Sequence, residues 1–109
     1  MLILLDTNIP RGMVRALAGH TVIESRERGW AELTNGDLLS AGERAGFHLL
    51  VTADQNIKHQ QNLKGRTIAL IVLSKGQWPL IRPMMPEIIA AVNAATPGSY
   101  VEVEIPYQS

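Results

Sequence analysis

Cysteine is absent from this sequence of 109 residues, and aromatic residues make up only 5% of it. Without cysteine the chain has neither a disulfide framework nor a thiolate metal site. Because aromatic residues are so few, its core is expected to be aliphatic. Its longest apolar runs fall far short of the roughly 20 residues that a membrane-spanning helix needs. The start of the sequence also lacks the basic and apolar regions of a signal peptide. We therefore expect a cytoplasmic protein with no membrane partner.

An excess of either charge is also missing, since ten Lys and Arg residues balance ten Asp and Glu residues. The net charge therefore gives no indication of a nucleic-acid partner. The hydrophobic content of 46% is that of a globular protein, and the length predicts a single domain over residues 1–109. Residues 55–86 contain no acid but five basic residues, Lys58, Lys64, Arg66, Lys75 and Arg82. This segment indicates either a basic face or an ordinary solvated surface.

The order of apolar segments predicts an α/β domain. Residues 2–5, 20–24, 47–52 and 67–73 are typical of strands, and those without alternation are expected in the interior of a parallel sheet. Helices are predicted at 11–18, 35–46 and 87–95, the last after a stretch broken by prolines. Residues 99–105 alternate strictly, as an edge strand does. We expect a three-layer domain with a mainly parallel sheet, order 2-1-3-4 plus a C-terminal edge strand.

Two predicted strands end in the same pattern, Asp-x-Asn. The first delivers Asp6 and Asn8, and the third delivers Asp54 and Asn56. In the expected strand order both acids face one crevice, about 5 Å apart at the backbone. Neighbouring carboxylates repel unless a cation bridges them, and oxygen ligands favour Mg²⁺ or Mn²⁺. This pattern favours metal-dependent phosphodiester hydrolysis, although Asp6 and Asn8 could instead simply cap the next helix.

Other sequence features bear on this interpretation. Nucleotide binding is less well supported, because no glycine-rich phosphate motif follows any predicted strand. Asp37 has a specific structural explanation, since Thr34 and Asp37 have the spacing of a capping box at a helix N-terminus. A first-turn carboxylate of this kind stabilises a helix by about 0.3 to 1 kcal/mol.

The sequence also resembles a known family. Residues 4–10 (LLDTNIP), 35–39 (NGDLL), 50–56 (LVTADQN) and 60–63 (QQNL) are similar to segments of the small PIN-like proteins of bacteria, and the resemblance extends over residues 2–103. It implies the PIN-like, Rossmann-like fold and a relationship to Mg²⁺- or Mn²⁺-dependent ribonucleases, many of them toxins of toxin–antitoxin modules. RNA and an antitoxin protein are the partners that it implies.

The resemblance also implies roles for individual residues. Asp6 matches the first acid of the family, Asp54 the acid after the third strand, and Asp37 an acidic position in the helix that follows Asn-Gly; these three are the expected catalytic and metal-binding residues. The expected supporting polar residues are Asn8, Asn35, Thr52 and Asn56. The side chains expected to contact RNA are Arg11, Lys58, His59, Gln61 and Asn62.

The chain departs from the family in two respects. Asn56 stands where related proteins commonly carry a further acid, and the sequence is shorter than a typical PIN nuclease. A catalytically weak or inactive PIN-like module that binds RNA or a protein partner is therefore the alternative hypothesis. A homodimer is a further expectation, because some large apolar side chains exceed what a small aliphatic core requires: Trp30, Trp78, Met84 and Met85.

Overall fold

The computed structural model describes residues 1–33, 35–57, 63 and 65–107, without the side chain of Asn35. Predictions that concern the capping residue Thr34, the side chain of Asn35 and the expected RNA contacts Lys58, His59, Gln61 and Asn62 lie outside the described residues. Among the described helices, none has the length and hydrophobicity that a bilayer crossing requires.

Strands and helices alternate along the described chain. The strands are β1 (Leu2–Leu5), β2 (Thr21–Glu24), β3 (Leu49–Thr52), β4 (Ala69–Leu73) and β5 (Tyr100–Val103). The helices are α1 (Gly12–Ala16), α2 (Asn35–Arg44), α3 (Trp78–Ile81) and α4 (Met85–Ala94), with 3₁₀ turns at Ser25–Arg28 and Arg82–Met84. The prolines therefore break the approach to the last helix as predicted, and Pro86 lies in the first turn of α4, where its missing N–H has no partner to lose.

All neighbouring strands in the sheet are parallel, in the order β2-β1-β3-β4-β5. The predicted order 2-1-3-4 with a C-terminal edge strand is confirmed. The first strand is an interior strand because both its faces are apolar, and the register places Leu5 opposite Glu24 of β2 and Val51 of β3. The chain segments that follow β1 and β3 therefore leave the sheet side by side at its carboxyl edge.

Buried side chains form one hydrophobic cluster on each face of the sheet. Ile3 and Leu5 point into the cluster that includes Met13 of α1 and Ile88 of α4, whereas Leu4 points into the cluster that includes Leu38 of α2. Successive side chains of a strand face opposite sides, so helices cover both faces. The three-layer α/β architecture that the sequence predicts is therefore present.

Several predicted helices and strands are longer than those in the structure. The predicted helix 11–18 ends at Ala16, because Leu17 leaves the helical region and Gly19 adopts a φ of 96°. The helix predicted to follow Thr34 and to reach residue 46 begins at Asn35 as expected, but it ends at Arg44. Strands predicted at 20–24, 47–52 and 67–73 begin at Thr21, Leu49 and Ala69. The polar groups of Thr67 are bound by Glu43 rather than by a neighbouring strand, which explains the later start of β4.

The C-terminal strand has the two-sided character that its alternation predicts. Glu102 and Glu104 are exposed, whereas Val103 and Ile105 are buried. Ile105 lies beyond β5 and is held by the loop after β4, since its N–H donates to Ser74 Oγ over 2.6 Å and its carbonyl accepts from Lys75 Nζ over 2.7 Å. The regular strand therefore ends two residues before the predicted 105.

The large apolar residues behind the dimer expectation pack within this chain. Trp30 contacts the ring of Phe47 edge to face, with centroids 6.0 Å apart, as expected for a loop residue that packs over the sheet. Trp78 and Met84 are half-buried against the cluster on the α1 side, and Met85 is buried in it. These side chains contribute to the two cores, and a homodimer stays a prediction.

Candidate functional site

Asp6 lies at the point where the interior strand β1 ends. Its backbone N–H still donates to Val51 O of β3 over 3.0 Å, and the chain then turns, with the N–H of Ile9 donating to Asp6 O. Each carboxylate oxygen accepts one hydrogen bond: Oδ1 from the N–H of Thr7 over 2.8 Å and Oδ2 from the hydroxyl of Thr52 over 2.7 Å. These bonds fix the orientation of a carboxylate that is only half-buried.

The hydroxyl of Thr52 connects the two predicted acidic segments. Thr52 is the last residue of β3 and is fully buried. Besides donating to Asp6, its Oγ1 accepts the backbone N–H of Asp54 over 3.1 Å. Thr52 and Asp6 follow Leu50 and Leu4 by two residues and so lie on the same face of the sheet, the face that α2 covers. The structure thus brings Asp6 and Asp54 to one hydroxyl.

Asn8 binds the segment after β3 from the other side. Its Oδ1 accepts the N–H of Ala53 over 3.0 Å, and its amide nitrogen lies 3.4 Å from Thr52 Oγ1. Gly76, in the loop after β4, approaches the backbone carbonyl of Asn8 so closely that a Cβ atom would lie 2.6 Å from that oxygen. Asn8 therefore holds the loops after β1 and β3 together, and the loop after β4 packs against it.

Asp54 has a structural role as well as a candidate functional one. Its Oδ1 accepts the N–H of Asn56 over 2.9 Å, and its carbonyl accepts the N–H of Ile57 over 3.4 Å, so it caps the turn that begins there. Within the described part of the chain, no hydrogen bond is made to Oδ2. The Asn56 side chain is exposed. One carboxylate oxygen of Asp54 therefore caps the turn.

Asp37 lies in the first turn of α2, and its side chain is exposed. This helix covers the same face of the sheet as Asp6 and runs back toward the start of β3, so its first turn lies toward the carboxyl edge. Within residues 1–33, 35–57, 63 and 65–107, no three histidine, aspartate or glutamate side chains converge on a position that could hold a metal ion. The structure therefore brings the Asp6 carboxylate and the Asp54 backbone to one hydroxyl, and among the described residues Asp37 does not form a three-acid cluster with these two residues.

The donor set fits a hard divalent cation. Each Asp6 oxygen uses one of its two lone-pair directions, and Asp54 Oδ2 accepts no hydrogen bond from the residues that the structure describes. Mg²⁺ is usually bound through one or two carboxylates and keeps several waters. Asp6 and Asp54 are the residues that would hold it.

Two residues at this edge were not identified from the sequence. The side-chain amide of Gln55 donates to Leu73 O of β4 over 2.6 Å and to Ala53 O over 3.2 Å, and so joins the ends of β3 and β4. Gly76 closes the same edge through its approach to Asn8. The only sequence signal for either was proximity to a strand end, which does not distinguish a contact of this kind from an exposed loop.

A cleft with a volume of about 590 Å³ lies beside β2 and α1. Arg11, one of the predicted RNA contacts, lines it with Arg15 and Arg26. Arg26 follows β2 in a polar segment, and no sequence pattern indicates that it lines this cleft. The spacing of Arg11 and Arg15 on the wet side of α1 was the signal available in the sequence.

The acid-free segment 55–86 does not present all its bases to solvent. Arg66 pairs with Glu43 at 3.2 Å, and Lys75 donates to Ile105 O while its Nζ lies 4.3 Å from the centre of the Tyr107 ring. Arg82 is exposed, and Lys58 and Lys64 lie outside the described residues. Arg66 and Lys75 therefore have structural partners, which weakens the hypothesis of a continuous basic face.

Comparison of the chain with protein-family models, with curated proteins and with solved structures gave no match. Functional inference therefore has to start from the contacts at the carboxyl edge of the sheet.

Proposed function

We propose that this chain is a PIN-like domain that hydrolyses RNA phosphodiesters with Mg²⁺ or Mn²⁺. The observation that carries this proposal is the single hydroxyl of Thr52, which contacts the Asp6 carboxylate and the Asp54 backbone at the carboxyl ends of neighbouring parallel strands. Ligands of open α/β sheets bind in this crevice. The resemblance of residues 2–103 to small PIN-like proteins supports the same reaction class.

The residues of the chain have distinct roles in this proposal. Asp6 and Asp54 would hold the cation, which would stabilise the charge on the phosphate and lower the pKa of a bound water. Thr52 and the Thr7 N–H orient the Asp6 carboxylate, and Asn8 keeps the loop after β3 in place. Asp37 positions water at the side of α2. Because these carboxylates are hydrogen-bonded before any ligand arrives, little reorganisation is needed when RNA binds.

Asn56 makes this site less negative than a site with a further acid. An amide contributes a carbonyl oxygen but no charge, so Asp6 and Asp54 together neutralise one divalent cation. We therefore propose a site that binds one metal ion with modest affinity.

The biological setting that the resemblance suggests is a cytoplasmic toxin held in check by an antitoxin protein. A neighbouring gene for a small DNA-binding protein that co-purifies with this chain would support this role. The toxin role and the antitoxin partner depend on the family resemblance alone.

Cleavage of RNA by matched variants tests the reaction. Labelled single-stranded and structured RNA is incubated with wild type, Asp6→Asn and Asp54→Asn over a Mn²⁺ titration, and urea unfolding checks that each variant folds. We expect cleavage by the wild type and a loss of at least about 100-fold in each variant, the scale of removing one electrostatic contributor. Equal cleavage by the wild type and both variants would contradict the proposal, as would the absence of both cleavage and metal binding in all three proteins.

Asp37 requires its own comparison, because a first-turn acid also stabilises its helix. Glu87 occupies the first turn of the other ten-residue helix, α4, and is exposed as well. Glu87→Gln is therefore a matched control for Asp37→Asn. A catalytic contribution of Asp37 predicts reduced cleavage in Asp37→Asn only, whereas a purely capping role predicts equal, small losses of stability and unchanged cleavage in both.

The second candidate is a PIN-like module that binds RNA or a protein without cutting it. The observation that favours it is the combination of an amide at Asn56 with no convergence of three acids among the described residues. RNA binding in EDTA without cleavage in Mn²⁺ would distinguish this module from the nuclease.

A further inference from the structure

The cleft beside β2 and α1 has charged walls. Arg11, Arg15 and Arg26 line it with Glu24 and Glu27, and its remaining lining residues are Gly12 and Val14. Arg11 and Arg15 are exposed on α1 or just before it, and Arg26 lies in the 3₁₀ turn after β2. The cleft thus lies on the α1 face of the sheet, at the same carboxyl edge as Asp6.

Glu24 is the fixed centre of this cleft. Its side chain is only 11% exposed, and its oxygens lie 3.6 Å from Arg11 Nε and 3.2 Å from Arg26 Nε. A buried carboxylate is costly unless cations compensate it. Glu24 therefore holds the two guanidinium groups at one place. The second acid, Glu27, accepts the backbone N–H of Glu24 over 3.0 Å and so orders the turn that carries Arg26.

The arginines retain donors for an incoming anion. A guanidinium has five N–H groups in a planar fork, and the contacts with Glu24 are made through Nε of Arg11 and Arg26. Arg15 makes no hydrogen bond or ion pair with a described side chain. The three arginines exceed the two carboxylates of the cleft, so its walls carry a net positive charge that Glu24 holds in position.

A direct contact connects the cleft to the candidate site. Arg26 Nη2 lies 3.4 Å from the carbonyl oxygen of Thr7, and the N–H of Thr7 donates to Asp6 Oδ1. One residue thus separates the arginine cleft from the acid at the end of β1. If one phosphate of an RNA strand lies at Asp6, a strand that continues over the edge of β2 brings its neighbouring phosphate to these guanidinium groups.

The walls of the cleft distinguish between a nucleic acid and a protein. A protein interface of standard size covers about 800 Å² on each partner around a core depleted of charge, whereas this cleft offers only Gly12 and Val14 between charged side chains. Guanidinium forks match phosphate oxygens bidentately. The chemistry therefore favours phosphate over the side chains of a docked protein.

We infer that the cleft of Arg11, Arg15 and Arg26 binds a phosphodiester of single-stranded RNA next to the one placed at Asp6 and Asp54, with Glu24 as the positioning residue. This inference rests on the proposed function for the adjacent phosphate, but the cleft itself needs no metal. Its binding can therefore be measured with the metal removed, independently of cleavage.

Fluorescence anisotropy of a labelled ten-nucleotide RNA in EDTA, over a salt titration, tests the cleft. Arg15→Ala is compared with Arg44→Ala, because Arg44 is also an exposed helical arginine but lies at the last turn of α2, toward the opposite end of the sheet. We expect Arg15→Ala to weaken binding about 5- to 10-fold and to reduce the slope of log Kd against log salt by about 0.7, the value for one phosphate contact on a single strand. Arg44→Ala should match the wild type.

A Glu24→Gln variant tests the positioning role. The amide keeps the shape of the side chain but loses the charge that holds Arg11 and Arg26, so RNA affinity should fall even though an acid has been removed. A simple repulsion between Glu24 and RNA predicts the reverse, tighter binding, and that result would overturn the positioning role.

Competition separates the ligand classes. Unlabelled poly(U) should displace the RNA at far lower charge concentration than poly-glutamate does. Equal displacement by poly-glutamate would assign the cleft to an acidic protein and overturn the inference, as would equal affinities for Arg15→Ala and Arg44→Ala. Loss of binding in Arg15→Ala without any Mn²⁺-dependent cleavage by the wild type would overturn the proposed nuclease and support the cleft. Cleavage with no difference between the arginine variants would do the opposite.

Discussion

Thr52 donates its hydroxyl hydrogen to Asp6 over 2.7 Å, and the same oxygen accepts the N–H of Asp54 over 3.1 Å. A buried hydroxyl with two such partners couples the stability of the sheet to the arrangement of the candidate site. Thr52→Val keeps the shape of the side chain but leaves a carboxylate oxygen and an N–H unpaired. We expect this change to lower the free energy of unfolding by about 1 to 3 kcal/mol.

Thr52→Ser is the matched control, because it keeps the hydroxyl and removes only a methyl group, which costs about 1 kcal/mol. Urea unfolding of both variants without metal gives the comparison. The hydrogen bonds predict that the valine variant is the less stable of the two. Equal stabilities, or a more stable valine variant, would show that the hydroxyl contributes packing alone.

Binding of Mn²⁺ should raise the unfolding temperature through Asp6 and Asp54. A ligand that binds only the folded state stabilises it by about 2.7 kcal/mol at a concentration 100 times its Kd. We expect a concentration-dependent increase for the wild type and little or none for Asp6→Asn. Thermal unfolding with increasing MnCl₂ measures this effect, and Glu87→Gln controls for the loss of a surface charge. An identical increase in all three proteins would place the metal elsewhere.

Gly12 should not tolerate a larger residue while Trp78 is present. A Cβ at Gly12 would lie 2.5 Å from Trp78 Cε2, so the indole would have to move. Gly12 is the first residue of α1, where the helix preference for alanine contributes less than the roughly 1 kcal/mol of a helix interior. We therefore expect Gly12→Ala to destabilise by about 1 to 3 kcal/mol because of this overpacking.

A double-mutant cycle with Trp78→Ala isolates the contact between Gly12 and the indole. In the Trp78→Ala background, Gly12→Ala should be neutral or stabilising, since the helix preference for alanine is then unopposed. Urea unfolding of the four proteins gives the coupling energy. A cost of Gly12→Ala that is unchanged by removal of the indole would contradict the steric explanation.

The pKa of Glu43 is lowered, chiefly by the backbone N–H of Thr67, which donates over 2.6 Å, with a smaller contribution from Arg66. A carboxylate with a lowered pKa stabilises the fold above its unfolded pKa, near pH 4, and loses that contribution as the pH falls through its folded pKa. Glu43→Gln should therefore be less stable than the wild type at pH 7, by about 1 kcal/mol for a partly exposed group.

The difference between wild type and Glu43→Gln should shrink as the pH falls from about 5 to 3. Urea unfolding at closely spaced pH values measures it, with Glu32→Gln as the control, because Glu32 is exposed in a loop. A difference that stays constant over this range would mean that the amide disturbs packing and that ionisation of Glu43 does not contribute.

The strand order could be predicted because it depends on local composition. Apolar residues on both faces require β1 to be an interior strand, and the alternation of residues 99–105 requires that segment to be an edge strand. Element ends were predicted less well, because they depend on partners far away in sequence. The late start of β4 at Ala69, for example, follows from the binding of Thr67 by Glu43 of α2.

The candidate site shows the same division. Asp6, Asp54 and Asn8 were identifiable from the repeated Asp-x-Asn pattern, and Thr52 was assigned a supporting role. Its position between the two acids became visible only with the register that sets Leu5 beside Val51. The contact from Gln55 to Leu73 and the Arg26–Thr7 contact join residues about 20 positions apart, and no local pattern indicates either.

The interior position of β1 also has a consequence for folding during synthesis on the ribosome. The strand that carries Asp6 is synthesised first, yet its β3 partner arrives more than forty residues later, and β4 and β5 extend the sheet only afterwards. Parallel pairing of this kind forms slowly, because the entropy of closing a long loop is lost before the strand contacts can offset it. The Asp6 carboxylate therefore meets its Thr52 partner late, so that a nascent chain cannot assemble the candidate site until about half of the protein has been made.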